Sequence, residues 1–211
     1  MIRKSLSILG IAILGSLAAS GSAVAAQFKA AVAPVNYIGT TPVATPVVFS
    51  TSAGTATCAI TEFRGSNNAA NATAEMPISF GAGNCVNFSE NFKSILSNGC
   101  SFKFTIGALI SEGTIEVVCA MGKSIEIQKK ECTVSIGAQK PLGNVSYKNS
   151  VANGKKIFEP TFEIKNGLNY TVAGAKCGTA EGLYTNGGIT GTSRIAGEDP
   201  AKKALQDVWV E

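Results

Sequence analysis

Apolar and polar residues alternate with a period of two through much of the chain, in short runs broken by Gly, Asn and Lys. Successive side chains of a strand point to opposite faces, so this pattern predicts half-buried strands in an antiparallel β-sandwich or meander. The clearest stretch is 100–137. There Cys100, Phe102, Phe104 and Ile106 alternate with polar residues, followed by Ile115, Val117 and Cys119, then Ile125 and Ile127, then Cys132, Val134 and Ile136. Turn lengths set the registers, because a slip of one residue sends every apolar side chain to the wrong face. A hairpin centred between Leu109 and Ile110 places Phe102 opposite Val117 and Phe104 opposite Ile115. A three-residue turn at Ala120-Met121-Gly122, with Gly122 left-handed, places Val117 opposite Ile125 and Ile115 opposite Ile127. A tight turn at Lys129-Lys130 sets Ile127 opposite Cys132 and Ile125 opposite Val134, although Lys-Lys is disfavoured in a two-residue turn. The registers agree on one apolar face across a four-stranded meander.

Elsewhere the pattern predicts further strands. Pro160–Ile164 leads through Lys165-Asn166-Gly167 to Leu168–Val172, and a loop with Gly167 left-handed aligns Ile164 with Leu168 and Phe162 with Tyr170. Residues 27–50 read as an extended lead-in with edge-strand character, since Pro34, Pro42 and Pro46 cannot donate to a ladder. Two helical turns fit the spacing: Ser89–Leu96, and Pro200–Gln206 with Asp199 as cap and Pro200 at the first position. The expected class is all-β, with roughly 10–13 short strands and at most one or two helical turns.

The first 26 residues break this alternation. Arg3 and Lys4 start them, an apolar stretch runs from Leu6 to Ala19, and Ala23-Val24-Ala25 is a small-residue cleavage site, together a secretory signal. A membrane anchor fits less well, because Gly10, Gly15, Ser16, Ser20, Gly21 and Ser22 dilute the apolar run and no stop-transfer pattern follows. The expected product is one domain over residues 27–211, secreted or held in the cell envelope, with no membrane span after cleavage. That compartment is oxidising, which turns six cysteines into an expected set of disulfides. In the register above Cys100 lies opposite Cys119, within reach of a cross-strand bridge. Cys119 and Cys132 would stand two strands apart, roughly 9–10 Å, too far for one. Proximity in sequence then suggests Cys58–Cys85 and leaves Cys132 with Cys177. Metal binding is the other use of cysteine, but no Cys-x-x-Cys knuckle occurs.

Charge and chemistry remove more than they add. Without Arg3 and Lys4 the chain keeps 16 basic residues against 14 acidic ones, a net charge of about +2. The basic pairs Lys129-Lys130, Lys155-Lys156 and Lys202-Lys203 are scattered, so no basic stripe for nucleic acid forms. The chain has no histidine, which excludes Ser-His-Asp and Cys-His nucleophile systems and imidazole metal sites. Asp199 and Asp207 are the only aspartates, and the glycines near 187–191 lack the Lys-Ser/Thr of a phosphate loop. No catalytic, cofactor-binding or metal residue is therefore expected.

One carboxylate pair survives. In the meander register Lys103, Glu116 and Glu126 form a row on the polar face, with the two glutamates roughly 5 Å apart. Such a pair suits a cation site or a glycosidase acid and nucleophile. It equally suits a solvated ladder in which Lys103 offsets the acids, and that reading is preferred. Tyr37, Tyr147, Tyr170, Tyr184 and Trp209 could form a sugar-stacking platform or could be partly buried with their polar tips in water, and the second is preferred.

The run Phe49–Cys58, with Phe63-Arg64-Gly65, Asn98-Gly99-Cys100, Cys132–Ile136, Ala138-Gln139, Val145–Asn149, Gly167–Thr171 and Gly188–Gly191, resembles a group of uncharacterised exported, cysteine-paired β-rich proteins found mainly in actinobacteria. The resemblance spans nearly all of 27–211 and implies an extracellular β-fold; it carries over no catalytic residue. The expected function is non-enzymatic, a structural or interaction role at the cell surface, with a cell-envelope component or another surface protein as partner and no cofactor. The alternative is a carbohydrate-active protein, either a sugar-binding module or a Glu-based hydrolase.

Overall fold

The computed structural model describes residues 26–59, 61–80, 85–86 and 92–211. All but Ala26 of the predicted signal sequence lies outside them. Among the described residues are eighteen strands, more than the alternation suggested. In chain order the first nine are Phe28–Ala30 (β1), Val35–Thr40 (β2), Val47–Thr51 (β3), Gly54–Cys58 (β4), Thr61–Asn67 (β5), Thr73–Phe80 (β6), Cys85–Val86 (β7), Phe92–Leu96 (β8) and Ser101–Ile106 (β9). The rest are Gly113–Val118 (β10), Ser124–Lys129 (β11), Cys132–Gly137 (β12), Val145–Ala152 (β13), Lys155–Ala173 (β14), Gly182–Thr192 (β15), Arg194–Glu198 (β16), Leu205–Gln206 (β17) and Val208–Val210 (β18). Every pairing between them is antiparallel.

The spine is β14, 19 residues long. Its first half pairs with β13 through the turn at Asn153-Gly154, where both residues have positive φ, the geometry an Asn-Gly hairpin favours. Its second half pairs with β12, and β15 runs along its other edge. From β14 one succession of neighbours passes through β16, β2, β5, β6 and β9 to β10, another through β15, β3 and β4 to β7, and a third through β12 and β11 to β8. The predicted hairpin at Lys165–Gly167 does not form. Gly167 is left-handed as expected, but within a register shift of a continuous strand, and Ile164 and Leu168 face Ile189 and Gly187 of β15.

The predicted meander divides into two hairpins. The first has the expected register, with Phe102 opposite Val117 and Phe104 opposite Ile115. The second keeps its faces but shifts by two residues: the turn is Lys130-Glu131, Lys129 faces Cys132, Ile127 faces Val134 and Ile125 faces Ile136. A shift of two preserves side-chain parity, so alternation cannot distinguish the two registers. The hairpins are not neighbours. Instead, β11 lies between β12 and β8, while the free edge of β10 is taken by residues 139–142, with Ile115 and Leu142 exchanging both backbone hydrogen bonds and Gln139 N–H donating to the Val117 carbonyl.

Residues 27–50 are no loose lead-in. β2 is a central strand between β5 and β16, and Phe28, Tyr37, Val47 and Phe49 are core residues, with the prolines confined to the connections. The helical expectation for Ser89–Leu96 is replaced over its described part by the strand β8. At the other predicted turn Asp199 does act as cap: its Oδ1 accepts from Ala201 and Lys202 N–H, and those bonds hold its carboxyl below the usual aspartate range. The chain then returns to strand at Leu205.

Aromatic rings fill the interior. Phe158 packs against Phe28 and Tyr37 at centroid distances of 5.1 and 5.7 Å, and Phe63 meets Phe102 and Phe104 while Phe104 reaches Phe162. Three disulfides clamp the sheets: Cys58–Cys85 between β4 and β7, Cys100–Cys119 at the end of the β9–β10 ladder, and Cys132–Cys177 between β12 and the loop after β14. All three are the expected pairs. Cys119 and Cys132 are kept apart by the separation of the two hairpins, not by the two-strand spacing of a common meander.

Candidate functional site

Six consecutive strands, β16, β2, β5, β6, β9 and β10, share one outward face, and the surviving carboxylate chemistry lies on it. Lys103 on β9 stands opposite Glu116 on β10 and opposite Glu75 on β6. Its Nζ lies 3.0 Å from Glu116 Oε2, and Ser101 Oγ donates to Glu75 Oε1 at 2.6 Å. The row is thus Glu75, Lys103, Glu116, and a lysine fills the place where an acid pair would admit a substrate or water. Glu126 is not part of it. It faces Leu96 and Ser135, and its Oε2 accepts from Gln128. The expected Glu116–Glu126 pair is overturned because β10 and β11 are not neighbours. The missed member, Glu75, belongs to the alternating run Ala74, Met76, Ile78, which was readable as a strand; its pairing with β9 was not.

Beside this row the face sinks into an open groove of about 600 Å³. Asn36 and Ile38 of β2 and Arg64 and Ser66 of β5 form its floor; Glu75 and Pro77 bound one side, Glu198 and Lys203 the other. Strand register produces this arrangement, with Asn36 between Ser66 and Glu198 and Ile38 between Arg64 and Ala196. The opposite faces of these strands must lie close to the core, which accounts for glycine at 39: a Cβ there would lie 2.5 Å from Ile195 Cδ1 and 2.8 Å from Phe63 Cβ. The charges of the groove are largely paired. Glu198 meets Lys203 at 3.5 Å and Arg64 reaches Glu62 at 3.8 Å. The groove offers amide, hydroxyl and paired ionic groups to a polar surface, with no exposed ring for stacking.

The five-ring platform also resolves differently from its functional reading. Tyr37, Tyr147 and Tyr170 are core residues, at most 4% exposed. Burial pushes the phenols of Tyr37 and Tyr147 up from their ordinary pKa, and Tyr147 donates to the Thr105 carbonyl. Tyr170 stacks on Tyr184 at 5.3 Å and binds Ser52 and Asn186 through its hydroxyl, bracing β14 against β3 and β15. Trp209 alone stands apart from these tyrosines, on the outward side of β18 between buried Val208 and Val210.

Trp209 Nε1 donates to Glu211 Oε2 at 2.9 Å, and Lys29 Nζ lies 2.8 Å from Glu211 Oε1. The Lys29 hydrogen bond, with help from the indole N–H, holds the Glu211 carboxyl below the ordinary glutamate range. A depressed folded pKa means that the contact is intact above the unfolded value of about 4.3 and lost as pH falls through the lower folded value. Acid titration of Trp209 fluorescence is expected to show no transition down to about pH 4.3 and a change below it; a midpoint at or above that value contradicts the anchoring.

Among the described residues no group of three or more His, Cys, Asp or Glu is placed to hold a metal ion, and no helix is long and apolar enough to cross a membrane. Comparison with known protein families, curated proteins and solved structures gave no match.

Proposed function

We propose that the chain is an exported, non-enzymatic protein of the cell surface or its surroundings, of the actinobacterial type that its cysteine and turn motifs resemble, with a structural or interaction role. The observation that carries this reading is the state of the outer carboxylates. Glu116, Glu131, Glu159 and Glu211 each lie within 3.1 Å of a lysine or arginine, and Glu75 is engaged by Ser101, which supports a surface-organising role for these groups. Such half-exposed pairs contribute little stability individually, because water and salt screen them, but they define a mixed-charge surface suited to a polar partner. Three disulfides match an oxidising compartment, where they resist loss of structure.

Two measurements test the proposal together. Fractionation of producing cells is expected to place the mature chain in the envelope or medium, beginning near Ala26 or Gln27. Purified wild type and Glu116→Gln are expected to release no sugar from a polysaccharide panel. Hydrolysis by wild type that Glu116→Gln or Glu75→Gln abolishes, or recovery of the full-length chain from the cytosol, would overturn it.

A further inference from the structure

We infer that the protein holds a pair of internal water molecules on a row of buried hydroxyls, where the ladder of β16, β2 and β5 ends. Strand register builds the row. Ile195, Gly39 and Phe63 stand side by side across these strands, and Ile195 and Phe63 are fully buried, so this is the core face. Two residues further along each strand the same face recurs, and the residues there are Ser193, Thr41 and Thr61. Backbone bonds continue the pairing to this point: Thr41 N–H donates to the Thr61 carbonyl at 3.2 Å, and Ser193 N–H to the Pro160 carbonyl of β14 at 3.0 Å. Ser193 and Thr61 are fully buried and Thr41 is 5% exposed.

Buried polar side chains are concentrated in this row. Among the described residues the other buried one is Ser101, and its hydroxyl donates to Glu75. The Thr61 and Ser193 hydroxyls have no hydrogen-bond partner among the described residues, and Thr41 Oγ1 reaches the Thr61 carbonyl only at 3.5 Å, a weak contact. Leaving such groups unpaired in the interior is costly, so an occupant that completes them is favoured. Spacing fixes its size. Residues opposite each other on neighbouring strands have Cβ atoms about 4.5–5.5 Å apart, too far for one hydroxyl to bond the next but right for a single bridging oxygen. One water between Ser193 and Thr41 and one between Thr41 and Thr61 therefore complete all three. Chemistry selects water over an ion. Hydroxyls both donate and accept, and the charged neighbours Arg194 and Glu62, one residue away, lie exposed on the outward face. Burial excludes a larger ligand from solvent, whereas water enters as the sheet opens locally.

Oxygen-17 relaxation dispersion of the disulfide-intact mature protein detects waters held inside it. Thr61→Val and Ser193→Ala are each expected to remove one long-lived water, and Thr41→Val two. Each loss should lower the urea midpoint by about 0.5 M, because a remaining hydroxyl is left without its partner. Thr61→Val has nearly the shape of the native side chain, so the sign of its effect is informative: deleting a hydroxyl that bonds nothing would leave stability equal or higher. Dispersion unchanged in all three variants, or a Thr61→Val midpoint at or above that of wild type, would overturn the inference. A crystal structure of the wild type decides without any variant. Water density about 2.7–3.2 Å from the Thr41, Thr61 and Ser193 oxygens would support the site; hydroxyls turned onto backbone carbonyls with no density between them, or a bound ion, would overturn it.

Discussion

Replacing Cys132 and Cys177 together by alanine is expected to lower the unfolding free energy by about 4 kcal/mol, read as a large downward shift in urea midpoint. The bridge joins residues 45 apart, and in the chain-entropy account a longer closed loop removes more freedom from the unfolded chain. It also ties the start of β12 to the loop after β14, where the two strands begin their pairing and Lys176 N–H bonds the Glu131 carbonyl. The Cys100–Cys119 bridge spans 19 residues and should contribute about 3 kcal/mol. The expected order of loss is therefore Cys132–Cys177, then Cys58–Cys85, then Cys100–Cys119. A reversed order would show that native packing around the sulfurs outweighs restriction of the unfolded chain.

Phe158→Ala is expected to cost about 3–5 kcal/mol, a large part of the 5–15 kcal/mol that stabilises a typical domain. Phe158 is fully buried on β14, opposite Asn149 on one side and Ile195 on the other. Its ring supports Phe28, which anchors β1, and Tyr37 of the central strand β2. Truncation would leave a cavity where three parts of the fold meet, so hydrogen exchange in β1 and β18 should accelerate beyond the global loss of stability. Phe158→Leu should recover much of the effect by refilling the volume. A Phe158→Ala loss below about 1 kcal/mol would mean that this aromatic cluster is not a principal part of the core.

Local physics made some of this fold legible. The β9–β10 register followed from turn length and side-chain parity, and it carried the Cys100–Cys119 bridge with it. Side-chain parity also identified the buried residues of β11 and β12, yet could not tell a register from one shifted by two, nor say which strand is the neighbour of β10. That choice is made by distant segments, residues 139–142 on one side and β8 on the other, whose approach leaves no mark in local alternation. The same holds for the carboxylates. Lys103 and Glu116 were paired correctly because one hairpin contains both, whereas Glu75 arrives from an earlier strand, β6, and Glu126 leaves for another part of the sheet. Prolines at 34, 42 and 46 argued for an edge, but they fall between strands and leave β2 free to be central. One available signal was missed: Asn153-Gly154 between two alternating runs marks the β13–β14 hairpin, and reading it would have paired Val145–Ala152 with the strand that follows.

The central claim is a disulfide-clamped β-protein that works outside the cytoplasm. Its most direct test is peptide mapping without reduction on protein trapped with a thiol-blocking reagent as it is taken from producing cells. The account predicts linked peptides for Cys58–Cys85, Cys100–Cys119 and Cys132–Cys177, no blocked thiol, and an N-terminus near Ala26 or Gln27. Blocked free cysteines, or a Cys119–Cys132 peptide, would contradict it.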